Sequence, residues 1–237
     1  MNTPVEKIRQ ELQMLGNAET AASARRFFKE TIETYGVKNA AVHRLAKTHF
    51  KDISDKSKAN ILALCEHLWQ SGFMEEALIA CDWSFFVRKQ FEPADFDVFE
   101  QWIDCYVSNW ATCDTLCNHT VGAFIDRYPA FLDRLKNWAR SPNRWLRRAA
   151  AVSLIIPAKE GRFLPDILEI AGILLRDRDD LVQKGYGWML KEATKQHREA
   201  VFNFIMHHKA DMPRTALRYA IEKMPAEMKK AAMEKVR

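Results

Sequence analysis

The sequence predicts an all-α protein, and three observations support this fold class. Glycine and proline are scarce, with eight residues of each among 237. The prolines stand where helices would begin, and apolar side chains between them recur at the spacing of a helix face. No stretch alternates between apolar and polar residues with the period of two that a half-buried strand shows.

The predicted helices follow in order from their start signals. Thr3, Pro4 and Glu6 form a capping box with a proline in the first turn, so the first helix should begin there. Apolar periodicity over residues 61–69 and 146–154 supports two of the later helices. Similar signals predict further starts at Ser54, Pro93, Pro129, Ser141–Pro142, Pro165, Pro213 and Pro225.

Two segments of the chain resemble each other at an offset of 36 residues, since residues 145–154 can be laid on residues 181–190. In both segments a bulky pair, a basic or polar pair and then small residues occupy matching positions. Residues 73–80 give a weaker third copy. A repeated small-residue face predicts one helix packing relation used more than once, as in a HEAT-type solenoid. A helical bundle without repeats is the alternative that this pattern leaves open.

Composition excludes several classes of protein. The chain is 48% hydrophobic and 28% charged, which is typical of a globular protein rather than a disordered one. Its longest apolar runs fall far short of the ~20 residues that a membrane-spanning helix needs. The charged N-terminal stretch does not resemble a secretory signal, so we expect a cytoplasmic protein. Five cysteines without a C-x-x-C pair predict reduced thiols.

Charge is distributed unevenly, although the net charge is only +5. Residues 134–148 hold six basic residues and no acidic one, interleaved with Trp138 and Trp145. Residues 61–104 hold nine acidic residues and only two basic ones. The basic run predicts either a contact with nucleic-acid phosphates or simply a solvated helix face.

Trp110 and Asp114 are the first candidates for chemistry. On a helix that begins near Ser108 or Asn109 they are four residues apart and share a face. An indole ring beside a carboxylate forms a site for a cation. The competing interpretation is that Trp110 packs in the core while Asp114 caps the helix or pairs locally.

The basic segments provide candidates for binding phosphate. Arg144 and Arg148 are four residues apart, and a guanidinium is well shaped for phosphate. Lys184, Trp188 and Lys191 suit a nucleic-acid backbone, or else form a core tryptophan flanked by lysines that extend to solvent. No metal site is expected, because Cys113, Cys117 and His119 lack a fourth ligand at a usual zinc spacing. Glycine-rich phosphate loops and the G-x-S-x-G motif are missing from the sequence.

Three motifs together resemble the AlkD family of DNA alkylation repair glycosylases. They are Trp110-x-x-x-Asp114, Trp145-Leu146-x-Arg148-Ala149-Ala150, and Gln183-Lys184-x-x-Gly187-Trp188-x-Leu190. Gly36-Val37 followed by Leu45-Ala46-Lys47 is similar to the N-terminal block of that family. The resemblance extends over nearly the whole chain.

The resemblance implies a single domain over residues 1–237, folded as a HEAT-like solenoid, an α-α superhelix with a concave basic groove for duplex DNA. It implies a monomeric glycosylase that needs no cofactor and acts in base-excision repair of alkylation damage. The substrates would be cationic N3- and N7-alkylated purines such as 3-methyladenine and 7-methylguanine. The enzyme would hydrolyse the N-glycosidic bond without flipping the base, and the protein would associate with the nucleoid when bound to DNA.

The resemblance also assigns roles to individual residues. Asp114 would be the catalytic carboxylate, Trp110 and Trp188 would be aromatic walls at the lesion, and Arg148 would lie at the DNA backbone. A second group is expected to bind DNA and comprises Phe27, Lys38, His43, Arg144, Arg147, Lys184 and Lys191.

The chain departs from the family pattern at four places, one of which is Ala40 or Ala41 in place of a common proline. Phe27 replaces a tyrosine, His43 replaces an arginine with Arg44 beside it, and Ala111 replaces an acidic or aromatic neighbour of the site tryptophan. DNA contacts near the N-terminus should therefore differ from those of the family. The alternative function is a catalytically inactive HEAT-like solenoid that binds DNA or a protein partner.

Overall fold

A computed structural model of the protein describes residues 3–234 and confirms the predicted all-α class. Within those residues the only β-type pairing is an isolated bridge between Glu33 and Phe73. The chain divides into two compact units, residues 1–124 and residues 125–237.

The first unit contains seven α-helices within its described residues. They are α1 (Pro4–Leu15), α2 (Ala18–Phe27), α3 (Asn39–Asp52), α4 (Lys58–Trp69), α5 (Met74–Phe86), α6 (Asp95–Cys105) and α7 (Trp110–Thr115). A 3₁₀ turn covers Arg88–Gln90, and a π-helical turn covers Leu116–Val121 directly after α7. Helix α8 (Gly122–Arg127) follows that turn.

In the second unit, a 3₁₀ turn covers Pro129–Phe131 after the end of α8. Its helices are α9 (Leu132–Trp138), α10 (Arg144–Val152), α11 (Ile155–Lys159), α12 (Leu164–Ile173), α13 (Asp180–His208), α14 (Arg214–Ala220) and α15 (Ala226–Met233). Helix α13 is kinked at His197, whose backbone angles are not helical and whose Nε2 lies 2.9 Å from the Gly161 carbonyl oxygen.

Most of the predicted helix starts agree with the structure. The capping box is confirmed, because Thr3 Oγ1 accepts from the Glu6 N–H and Glu6 Oε2 accepts from the Thr3 N–H. The predicted start at Ser54 is wrong, since α4 is capped by Ser57. The cause is local: Asp55 accepts from both the backbone and the hydroxyl of Ser57, forming a turn that delays the helix.

Six helices begin at nearly constant intervals in the described part of the chain. Each has an N-cap that follows the preceding N-cap of the series by 34 to 36 residues. The caps are Lys38 (α3), Phe73 (α5), Asn109 (α7), Asn143 (α10), Asp179 (α13) and Pro213 (α14). The offset found in the sequence is the interval between Asn143 and Asp179, which make the same kind of cap hydrogen bond two residues ahead.

The cores of both units are rich in large side chains. Trp83 and Trp102 are fully buried in the first unit, and Trp138 and Tyr186 are buried in the second. Small residues allow neighbouring helices of the second unit to approach closely. A Cβ added at Gly187 would lie 2.7 Å from Tyr219 Cβ, so only glycine permits the observed packing of α13 on α14.

Candidate nucleic-acid interface and active site

Seven of the eleven predicted site residues share a position relative to the regularly spaced N-caps. Residues one, five and nine positions after a cap lie on one side of a helix, and we call this set the cap-register face. The face comprises Asn39, His43 and Lys47 of α3; Met74, Leu78 and Asp82 of α5; Trp110 and Asp114 of α7; Arg144, Arg148 and Val152 of α10; Asp180, Lys184 and Trp188 of α13; and Arg214 and Arg218 of α14. Chemically active side chains are thus concentrated at one register.

Helix α7 places Trp110 and Asp114 on this face, as predicted. Asn109 is buried and its Oδ1 accepts from the Thr112 N–H at 3.0 Å, which fixes the first turn. Trp110 is the first residue of the helix, and Asp114 follows one turn later; both side chains are partly exposed. Trp110 is therefore not a core residue, and its ring can contact a ligand.

Two phenylalanines at the end of α2 hold the Trp110 ring. Phe28 stacks on it with ring centroids 5.3 Å apart and planes inclined by 25°. Phe27 approaches at 6.1 Å in an edge-on arrangement and remains 70% exposed. The sequence analysis identified Phe27 but missed Phe28, which gives no periodic signal because α2 ends just before it.

The same aromatic rings line a cavity of about 350 Å³ within the first unit. Its apolar wall is formed by Phe27, Phe28, Val37, Met74, Leu78 and Trp110. Among the described residues that line it, Lys38 is the one with a charged side chain. The predicted DNA-binding residues Phe27 and Lys38 therefore border the same space as the predicted active-site indole.

A buried carboxylate anchors the segment that leads to Lys38. Glu75 is fully buried, and its carboxylate accepts from the Thr34 hydroxyl at 2.6 Å and from the backbone N–H groups of residues 35–37 at 2.9 to 3.1 Å. Gly36 has a φ of +79°, and a Cβ there would lie 2.2 Å from the Asn17 carbonyl oxygen. The positive φ and the close approach of Asn17 explain why position 36, in the Gly36-Val37 pair, is a glycine.

The neighbouring carboxylate, Glu76, supports the same segment from the other side. It accepts from the Tyr35 hydroxyl at 2.8 Å and from Arg9 Nε at 3.0 Å. Burial and the hydrogen bond to Glu76 raise the pKa of Tyr35 well above its ordinary value. Sequence analysis missed both glutamates, because nothing in their local pattern distinguishes a buried carboxylate from an exposed one.

His43 forms an ion pair within the first unit. Its Nδ1 lies 2.7 Å from Asp82 Oδ2, and Asp82 is also on the cap-register face. The hydrogen bond with Asp82 raises the pKa of His43, against the opposing effects of burial and of Lys47. Asp82 thus favours the positively charged form of the residue that replaces the arginine expected at this position.

A π-helical turn follows Asp114 and alters the register of the face. Each π turn contains one more residue than an α turn, and such turns occur frequently at functional sites. His119 lies in this segment, where burial lowers its pKa while the charge of Asp82 opposes that effect. The charge of His43 lowers the pKa of His119 further, so the His43–Asp82 pair and His119 influence each other electrostatically.

Arg148 lies between two helices of the second unit. It is only 5% exposed, and its Nη1 donates to the Leu181 carbonyl oxygen in the first turn of α13. Gly185 of α13 lies against the Arg148 side chain, since a Cβ added there would be in van der Waals contact with Arg148 Cγ at 3.4 Å. The guanidinium is therefore held in a fixed orientation by the packing of α10 against α13.

The other predicted DNA-binding cations of this unit pair with carboxylates. Arg144 lies 3.4 Å from Asp179 and above the Trp145 ring, while Lys184 lies 2.7 Å from Asp180. Lys191 lies 2.9 Å from Glu222. Asp179 lies outside the basic run at residues 134–148. Its ion pair with Arg144 therefore neutralises part of the positive charge of that run in the folded chain.

Arg147 is held in place by an ion pair and by hydrogen bonds to backbone carbonyl oxygens. Its Nε lies 2.6 Å from Asp177, which is 8% exposed, and its Nη1 donates to the carbonyl oxygens of Ser141 and Pro142. These bonds connect the segment before α10 to the segment before α13. Trp188, the second predicted aromatic wall, is partly exposed on α13.

Other kinds of site are not found in the part of the chain that the structure describes. Residues 3–234 contain no cluster of three or more histidine, cysteine or acidic side chains that could hold a metal ion. None of the described helices is both long enough and apolar enough to cross a membrane. The five cysteines are free thiols, four of them buried.

The fold and the site together define an all-α protein that presents aromatic and charged side chains from regularly spaced helices. A family model described as DNA alkylation repair enzyme matches residues 8–224, and the chain belongs to that family. This match confirms the family inferred from the three motifs.

One similar solved structure is described as a predicted DNA alkylation repair enzyme from Enterococcus faecalis. It superposes with a TM-score of 0.79 at 18% identity, over 89% of this chain and 97% of that chain. The likeness therefore shows a shared fold. A search of curated proteins gives no match.

Proposed function

We propose that the protein is a DNA glycosylase that excises cationic N3- and N7-alkylated purines from duplex DNA. The observation that carries the proposal is the start of α7, where Asp114 lies one turn from an indole ring held by Phe27 and Phe28. Membership of the DNA alkylation repair family supports the choice of damaged DNA as the substrate.

The proposed reaction requires one carboxylate. An alkylated N3 or N7 purine carries a positive charge, so it can leave with the electron pair of the C1′–N bond without being protonated. Positive charge then develops on the sugar, as in glycoside hydrolysis. Asp114 would stabilise that charge and orient the water whose oxygen bonds to C1′, while the water proton passes to the carboxylate or to solvent.

The remaining residues would bind and position the DNA. Trp110 and Trp188 would contact the lesion and exclude water, which strengthens the interaction of the carboxylate with the sugar cation. Arg148 would orient the backbone, since a guanidinium donates well to phosphate. Phe27, Lys38, His43, Arg144, Arg147, Lys184 and Lys191 would supply further contacts with the duplex. We also propose that the protein works as a monomeric HEAT-like solenoid in the cytoplasm.

Release of methylated bases tests the proposal. Duplex DNA containing 3-methyladenine and 7-methylguanine would be incubated with the protein in the presence of a chelator, and free bases would be quantified. Asp114→Asn should slow release by about 10²- to 10³-fold while leaving DNA affinity nearly unchanged, since it removes one electrostatic contact to the transition state. Arg148→Ala should weaken both release and binding.

Asp52→Asn is a matched control, because Asp52 is exposed at the end of α3 and away from the proposed site. It should release bases at the wild-type rate. Equal rates for wild type and Asp114→Asn would refute the assigned chemistry.

A second candidate function is binding without chemistry, to DNA or to a protein partner. The ion pairs of Arg144, Lys184 and Lys191 favour a protein partner, because paired cations are less available to phosphate. A salt titration of DNA affinity distinguishes the cases. Salt-sensitive binding without base release would indicate a DNA-binding protein, whereas binding insensitive to salt would indicate a protein partner.

A further inference from the structure

The cap-register face continues onto α14, beyond the residues to which a role has been assigned. The fifth residue after the cap is His43 in α3, Leu78 in α5, Asp114 in α7, Arg148 in α10 and Lys184 in α13. In α14 the corresponding residue is Arg218. This register therefore places a cation at the end of a series that already contains the predicted catalytic and DNA-binding residues.

Arg218 differs in its availability from the predicted DNA-binding cations of the second unit, each of which has a partner within the protein. Its side chain is exposed, whereas Ala216, Leu217 and Ala220 of the same helix are buried. Within residues 3–234, Arg218 makes no hydrogen bond or ion pair with another side chain. A phosphate could approach it without first displacing a carboxylate.

The packing of α14 places Arg218 beside known members of the set. Tyr219, the next residue, packs against Gly187 of α13, and the Lys191 ammonium lies 5.8 Å from the centre of its ring. Tyr219 and Arg148 both act electrostatically on Lys184. Residues near the end of α14 therefore lie close to residues 184–191 of α13, and Arg218 adds a cation beside them.

We propose that Arg218 is a further DNA contact that donates to a backbone phosphate. The proposal rests on the DNA binding proposed above and adds a binding residue to it. A guanidinium can donate two parallel hydrogen bonds to phosphate, which fits an arginine that no carboxylate occupies. The contact would be independent of base sequence, because phosphates carry no sequence information directly.

The salt dependence of DNA affinity tests the proposal. Affinity of wild type, Arg218→Ala and Arg198→Ala for an undamaged duplex would be measured between 50 and 200 mM salt. Arg198 is an exposed arginine beyond the kink of α13 and outside the cap-register face, so its variant loses the same charge. Loss of one phosphate contact should reduce the magnitude of the log-log slope by about 0.9 in Arg218→Ala and leave Arg198→Ala unchanged.

The slope change corresponds to a measurable effect on affinity. The ratio of wild-type to Arg218→Ala affinity should be about 3.5-fold larger at 50 mM than at 200 mM salt. Arg218→Lys should retain most of the slope, since it keeps the charge. Equal slopes for wild type, Arg218→Ala and Arg198→Ala would refute the role of Arg218 while leaving DNA binding intact. Absence of salt-sensitive binding by wild type would refute both this contact and the proposed function.

Discussion

Replacing Glu75 with glutamine should destabilise the first unit by about 3 kcal/mol. The glutamine oxygen can keep the bonds from Thr34 and residues 36–37, but its amide group then faces the Tyr35 N–H, which loses its acceptor. An unsatisfied buried donor costs about 1–3 kcal/mol. The three remaining bonds each weaken by roughly 0.5–1 kcal/mol on losing the charge, partly offset by easier burial of a neutral side chain.

Thermal unfolding followed by circular dichroism would measure this effect. For a chain of this size, 3 kcal/mol corresponds to a fall in Tm of roughly 6–12 °C. Glu33→Gln is the matched control, because Glu33 is exposed in the same segment and only its backbone carbonyl is used, by the Met74 N–H. A Glu75→Gln variant as stable as Glu33→Gln would refute the view that this carboxylate anchors the segment leading to Lys38.

Two further predictions concern DNA affinity. Because Asp82 raises the pKa of His43, His43 should stay charged to higher pH than an isolated histidine, and affinity should fall as pH rises through that raised pKa. Asp82→Asn should move the midpoint of this fall to lower pH in fluorescence anisotropy titrations, and an unmoved midpoint would contradict the pairing. Asp180→Asn should tighten DNA binding and steepen its salt slope by up to about 0.9, because it releases Lys184 from its carboxylate. Glu199→Gln removes an exposed charge from the same helix and should leave the slope unchanged. Equal salt slopes for Asp180→Asn and Glu199→Gln would show that the ion pair of Lys184 does not limit binding.

The part of the fold that could be predicted from sequence depends on local signals. Thr3 and Asn109 cap their helices through side-chain hydrogen bonds, and the sequence analysis located both starts. The start of α14 was located from its proline, Pro213, whereas the caps at Lys38 and Phe73 make no side-chain hydrogen bond and leave no such signal. The regular spacing of the six helices therefore became apparent only with the structure.

The site was predictable to the extent that it depends on spacing along one helix. Trp110 and Asp114 are four residues apart, and the structure places both on one face of α7. Phe28 and Asp82 were missed because their importance comes from rings and charges that are distant in sequence. The partners of the basic run were missed for the same reason, since Asp177 and Asp179 lie about 30 residues beyond the arginines they pair with.

The constant register of the helices has a consequence for how such a protein can change over evolutionary time. In α14 the buried packing is provided by Ala216, Leu217 and Ala220, and the fifth residue after the cap, Arg218, is exposed. Leucine, aspartate, arginine and lysine all occupy that position in successive helices of the chain. Where that residue is at least partly exposed, as in α3, α7, α13 and α14, its substitution can alter one contact at a time, so ligand preference can diversify stepwise on an unchanged scaffold.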